Sequence, residues 1–104
     1  MFLCQWSLDI VFGKQKQALK IIKKWSAEKM RSSNFRKSTG NRVFSGYVVD
    51  SAAHIVDEYV FESLEDFQIA LADVGKQEFK KFTESIAPYI VSGSQKWMVH
   101  KMIF

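Results

Sequence analysis

The stretch Val56-Asp57-Glu58-Tyr59-Val60-Phe61-Glu62-Ser63-Leu64-Glu65-Asp66-Phe67 contains the change of period that decides the fold. Up to Phe61 the run is rich in β-branched and aromatic residues and reads as a strand that begins near His54. At Ser63 the spacing changes. Ser63 followed three residues later by Asp66 has the form of a capping box. Leu64, Phe67, Leu71 and Val74 then share one face of a helix. A strand therefore feeds a capped helix through a joint of only two residues.

On the C-terminal side, Gly75 interrupts the helix. A second helical piece begins near Lys76, with Phe79, Phe82 and Ile86 on one stripe, and Pro88 limits its continuation. Ser92-Gly93-Ser94 reads as a turn and Lys96 to Phe104 as a last strand. On the N-terminal side, Arg42 to Asp50 reads as a strand joined to the next by a short turn at Asp50-Ser51-Ala52, which makes a hairpin. Gly40-Asn41 reads as a turn. The chain opens in a strand whose alternate residues Cys4, Trp6, Leu8 and Ile10 form an apolar face, with Gly13 ending it. A helix from about Lys14 to Arg31 follows. Ala18, Ile21, Ile22, Trp25 and Lys29–Met30 keep its 3.6-residue period, and Lys16, Lys20, Lys23 and Lys24 lie opposite.

The order strand, helix, strand, strand, broken helix, strand specifies an α+β domain of ferredoxin-like topology, β-α-β-β-α-β, with a four-stranded antiparallel sheet. The whole chain, 1–104, reads as one such domain. Helices cover one sheet face. The other face needs a partner, and a second copy closing a dimeric α/β barrel is the simplest one.

Composition bounds the function classes. Apolar residues are 47% and charged residues 25% of 104, which fits a packed globular chain and argues against disorder. The single cysteine, Cys4, allows neither an internal disulfide nor a paired-cysteine zinc site. No apolar run reaches the ~20 residues of a membrane span, and no signal-peptide pattern opens the chain. The expectation is a cytoplasmic protein. Residues 14–42 carry ten Lys or Arg and one acid, Glu28, whereas residues 43–87 carry nine acids and three lysines. Such a basic block can attract nucleic acid or an anionic membrane, but it is more simply the solvated face of one helix.

The run from Val56 to Phe67, with an aromatic followed by Glu-Ser and a helix, resembles the signature of dimeric α/β-barrel proteins. These include antibiotic-biosynthesis-type monooxygenases, haem-degrading monooxygenases, NIPSNAP-like proteins and polyketide-type cyclases. The resemblance in layout extends over nearly the whole chain. It implies a barrel cavity lined by the aromatic before Glu-Ser. Here that is Phe61, with Tyr59, Asp57 and Ile55 on its side of the strand. Gln5, Ser7 and Asp9 would face them from the first strand. If the third strand is flipped, Glu58 takes the place of Asp57. The haem-degrading branch binds iron through a histidine on the following helix. Residues 64–91 contain no histidine, and that branch prefers Trp where this chain has Phe61, so haem degradation is disfavoured and no cofactor or metal is expected.

The resulting site candidates are Asp57, Tyr59 and His100 as polar or acid–base groups, and Gln5, Ser7, Phe61 and Trp97 as pocket residues. His54, after the turn, is expected to be exposed, and Cys4 to be a buried inert thiol. No phosphate loop or catalytic triad order is present. RNA-recognition domains share this topology, but their stacking aromatics belong on the third strand. That strand here carries Asp57 and Glu58, which repel phosphates, so nucleic acid is not the expected partner. The expectation is a homodimer that binds a hydrophobic small molecule and acts as a cofactor-free monooxygenase or cyclase on an aromatic or polyketide-like compound. The alternatives are a non-enzymatic structural or stress-response dimer with a packed interior, and a basic-surface binder of nucleic acid or membrane.

Overall fold

A computed structural model describes residues 1–47 and 53–104. Its elements are β1 (Phe2–Asp9), α1 (Gln15–Ser32), β2 (Gly40–Ser45), β3 (His54–Phe61), α2 (Leu64–Asp73), α3 (Lys80–Ile86) and β4 (Lys96–Lys101). Short 3-10 turns lie at Asn34–Lys37, Gln77–Phe79 and Ala87–Tyr89. The four strands form one antiparallel sheet in the order β2-β3-β1-β4. This is the ferredoxin-like α+β architecture expected from the order of elements. The helix between β3 and β4 is broken around Gly75, also as expected.

Local chemistry accounts for most of the boundaries. Gly13 holds φ +79, a left-handed backbone that favours glycine, and turns β1 into α1. Ser63 caps α2, its Oγ accepting the amide N–H of Asp66 at 3.1 Å. Ser33 performs two tasks after α1: its hydroxyl donates to Lys29 O at 2.7 Å and accepts the N–H of Phe35 at 3.1 Å. Asp73 fastens the end of α2 to the loop after α1, accepting both the main-chain and side-chain N–H of Asn34.

Two boundaries and one buried face differ from the sequence reading. Gly40 and Asn41 belong to β2, because they pair with Val60 and Tyr59 rather than turning back. β4 stops at Lys101, and Phe104 is fully exposed. Leu64 is exposed, and the buried face of α2 is Phe67, Ala70 and Asp73. The expected strand residues Val48–Asp50 and the turn Asp50-Ser51-Ala52 lie outside the described residues.

α1 buries Ala18, Ile22, Trp25, Ser26 and Lys29 against the sheet, while Lys16, Lys20, Lys23 and Lys24 are exposed. The core has two clusters. One gathers Trp6, Leu8, Ile10, Ile22, Trp25, Ile55, Phe79 and Ile86. The other gathers Cys4, Phe35, Tyr59, Phe61, Phe67 and Ala70. Trp25 meets Trp6 edge-on at 5.5 Å and stacks on Phe82 at 6.1 Å, which fixes the ring orientations at one end of the molecule.

Candidate functional site

Register decides which side chains meet. β1 pairs with β3 so that Cys4 lies opposite Tyr59, Trp6 opposite Asp57 and Leu8 opposite Ile55. Directly opposed residues share a sheet face. Ile55, Asp57, Tyr59 and Phe61 therefore join the apolar face of β1 beneath the helices, and all four are fully buried there. This corrects the expected phase of β3. Asp57, Tyr59 and Phe61 do not share a face with Gln5 and Ser7; the flipped arrangement holds, and Glu58 is the carboxylate on the other side. Gln5 Nε2 donates to Glu58 Oε2 at 2.9 Å, and Arg42 pairs with Glu58 Oε1 at 2.8 Å.

His100 lies opposite Leu3 on this open face and is exposed, far from a shared pocket with Asp57 or Tyr59. His54 is half-buried rather than free, its Nδ1 3.0 Å from Asp9 Oδ1. Ser7 is buried on the same face, and its hydroxyl has no partner among the described residues. Trp97, opposite Trp6 on the helix side, is the predicted pocket residue that stays with Asp57 and Tyr59.

Beneath the helices the structure assembles a polar network inside an aromatic cage. Asp57 Oδ2 accepts from Tyr59 OH at 3.0 Å, Ser26 Oγ at 3.2 Å and Lys29 Nζ at 3.4 Å. Its other oxygen accepts from Asn41 Nδ2 at 2.8 Å. Lys29 is only 1% exposed, and its ammonium stands 4.5 Å from the centre of the Trp25 ring, 4.9 Å from Tyr59, 5.2 Å from Phe35 and 5.6 Å from Trp6. Those rings come from both core clusters, so the Lys29–Asp57 pair marks the seam between them. Burial pushes the amine of Lys29 below its ordinary range, and Asp57 opposes that shift. Burial, and then the charge of Asp57, push the phenol of Tyr59 well above its ordinary range, so Tyr59 serves as a hydrogen-bond donor.

Lys29 also lines a cavity of about 410 Å³ between the sheet and α3. Trp6, Trp25, Trp97 and Ile86 form the deeper wall with it, and the exposed Ala87, Ser92 and Gly93 form the rim. Gln95 on the rim accepts the indole N–H of Trp6 at 3.0 Å. The indole N–H of Trp25 is buried with no partner among the described residues. The volume lies in the range of small-ligand sites, and the lining combines apolar rings with a few polar tips. Among the described residues, no group of three or more His, Cys, Asp or Glu side chains could hold a metal ion.

Sequence reasoning missed Lys29, Ser26, Asn41 and Trp25 as members of the site. The signal was present in part: Lys29 stands seven residues after Ile22 and four after Trp25, on the apolar stripe of α1. A charge in that position needs a buried partner.

No protein-family model and no curated protein matches this chain by sequence. Solved structures do match it in fold. A provisionally assigned antibiotic biosynthesis monooxygenase from Caulobacter crescentus superposes with a TM-score of 0.75 at 10% identity, covering 99% of this chain and 90% of that one. A NIPSNAP family protein from Agrobacterium tumefaciens gives 0.71 at 14% identity, covering 96% and 90%. An uncharacterised NIPSNAP domain protein from Burkholderia xenovorans gives 0.68 at 16% identity, covering 98% and 94%. These structures share the ferredoxin-like fold of this chain, which the order of elements and the Val56–Phe67 run implied. No helix among the described residues is long and apolar enough to cross a membrane.

Proposed function

We propose that this chain is a small-molecule-binding protein whose ligand is a hydrophobic aromatic or polyketide-like compound held in the cavity above Lys29. The observation that carries the reading is a tryptophan-walled space ending at a buried cation. A flat aromatic ring fits between indoles. A phenolate or enolate on that ring would meet the ammonium of Lys29 in a low-dielectric setting, where the attraction is far stronger than in water. Stabilising such an anion is what a cofactor-free monooxygenase or a cyclase requires, because the electron-rich anion is the reactive species. Asp57 and Tyr59 then hold Lys29 in place rather than touching the ligand, and Trp97 is a wall. Structural neighbours named as antibiotic biosynthesis monooxygenases, several of them provisionally assigned, support this class.

The assembly we propose is a homodimer through the open sheet face. Phe44 and Met98 are each 40% exposed there, beside a polar strip of Gln5, Arg42 and Glu58. A monomer at all concentrations in sedimentation would remove this part of the reading.

The test of the site is titration with a dihydroxynaphthalene, followed by tryptophan fluorescence and by an oxygen electrode. Saturable quenching is expected in the native chain and its loss in Ala87→Phe, which fills the rim without entering the core. Oxygen uptake supports the oxygenase, and saturable binding without turnover leaves a binding protein. Quenching that never saturates, or that Ala87→Phe leaves unchanged, overturns the assignment of the cavity.

A further inference from the structure

We propose that Lys29 captures carbonyl compounds in this cavity as a covalent imine, which makes aromatic aldehydes and ketones a ligand class of the site. The proposal rests on the cavity being the ligand site and adds a reaction to it. Three features carry it. First, Lys29 is the buried basic side chain among the described residues, and it lines the cavity. Its hydrogen bond to Asp57 is the longest in the network, 3.4 Å against 2.8–3.2 Å for Asn41, Tyr59 and Ser26. Asp57 thus keeps three neutral donors whether or not the lysine is charged. Second, the four rings around Nζ exclude water, which eases transfer of the ammonium proton to the adjacent Asp57 carboxylate and slows hydrolysis of an imine once formed. Third, Trp25 lines the cavity, its buried indole N–H has no partner among the described residues, and its ring centre is 4.5 Å from Nζ. A carbonyl is the ligand group whose oxygen accepts such a donor while its carbon meets an amine.

The step balances within the observed groups. Asp57 takes one proton from the Lys29 ammonium. The amine nitrogen forms a bond to the carbonyl carbon, the carbonyl π electrons move to oxygen, and that oxygen receives a proton from nitrogen. Asp57 returns its proton to the nitrogen of this carbinolamine, the nitrogen passes one on to the hydroxyl, and the C–O bond breaks with the oxygen leaving as water. The nitrogen lone pair closes the C=N bond, giving a protonated imine beside the Asp57 carboxylate. Three protons on nitrogen become one on the imine and two in water, and no oxidant or reductant is needed.

The experiment treats the folded chain with 2-naphthaldehyde and sodium cyanoborohydride and maps the adduct by peptide mass spectrometry. The expected result is one naphthylmethyl group per chain, on Lys29, absent in Lys29→Arg. The same treatment in urea should spread label over the lysines, which keeps the comparison informative even if Lys29→Arg fails to fold. 2-Naphthylmethanol, with the same ring and no carbonyl, reports cavity binding separately through tryptophan quenching. If the alcohol quenches saturably while the aldehyde labels Lys16, Lys20, Lys23 and Lys24 but not Lys29, the imine is refuted and the cavity reading stands. If the alcohol does not bind and Lys29 is unlabelled, both fall. Equal labelling of Lys29 and the exposed lysines in the folded chain also refutes the proposal.

Discussion

Replacing Asp57 with Asn tests whether the buried pair organises the seam between the two core clusters. The substitution keeps shape and removes one charge. The hydroxyls of Ser26 and Tyr59 can rotate, and the amide of Asn41 still finds an oxygen, so the loss that no rearrangement repairs is the counter-charge of Lys29. Removing one member of a buried ion pair costs about 3–5 kcal/mol. That is a large share of the roughly 5–15 kcal/mol that holds a domain together. With a urea dependence of about 2 kcal/mol per molar, the unfolding midpoint should fall by roughly 1.5–2.5 M.

The stranded ammonium gives a second signature. Burial already favours the neutral amine of Lys29, and without Asp57 nothing opposes it. The folded variant then sheds a proton that the unfolded chain keeps until the ordinary lysine range. Stability of Asp57→Asn should therefore rise with pH toward the ordinary lysine range, relative to the native chain. Urea unfolding followed by tryptophan fluorescence at neutral and at alkaline pH measures each effect. Adding Lys29→Met removes the orphan charge and should return most of the loss. A single-variant cost below about 1 kcal/mol, or costs of Asp57→Asn and Lys29→Met that add within about 0.5 kcal/mol, would refute the reasoning.

Three further outcomes follow from local features. Ser63→Ala removes the cap of α2 and should cost about 1 kcal/mol in the same urea assay, with the Asp66 amide left to water. Cys4 is buried, and burial pushes its thiol up to about 11 from 9.0, so an aromatic disulfide reagent should react only as the chain unfolds. The sign for stability is set by the same group. The folded chain keeps a proton that the unfolded chain releases near pH 9, so stability should decline from about pH 9 to about 11, and Cys4→Ala should flatten that decline.

Much of the fold was legible because its signals are local. The cap at Ser63, the turn at Gly13, the break near Gly75 and the lysine face of α1 depend on neighbours within four residues. The all-apolar face of β1 also settled its own orientation toward the helices. β3 offered no such decision. Ile55, Asp57, Tyr59 and Phe61 on one side and His54, Val56, Glu58 and Val60 on the other each hold apolar residues and one carboxylate. Period alone cannot choose between two mixed faces, and the choice inverted the expected site.

The sequence by itself determined the order of elements, the antiparallel ferredoxin-like sheet they build and the aromatic bulk available to a cavity. It also held the clue of a lysine on an apolar stripe. Only the tertiary structure decided that Cys4 lies opposite Tyr59 and Trp6 opposite Asp57, which sends Asp57 under the helices to meet Lys29 and leaves Gln5, Glu58 and His100 on the open face. The physical reason is that the register of β1 against β3 is set by pairs 45 to 59 residues apart in the chain. A shift of one residue there exchanges every side chain between the two faces, while every local pattern stays the same.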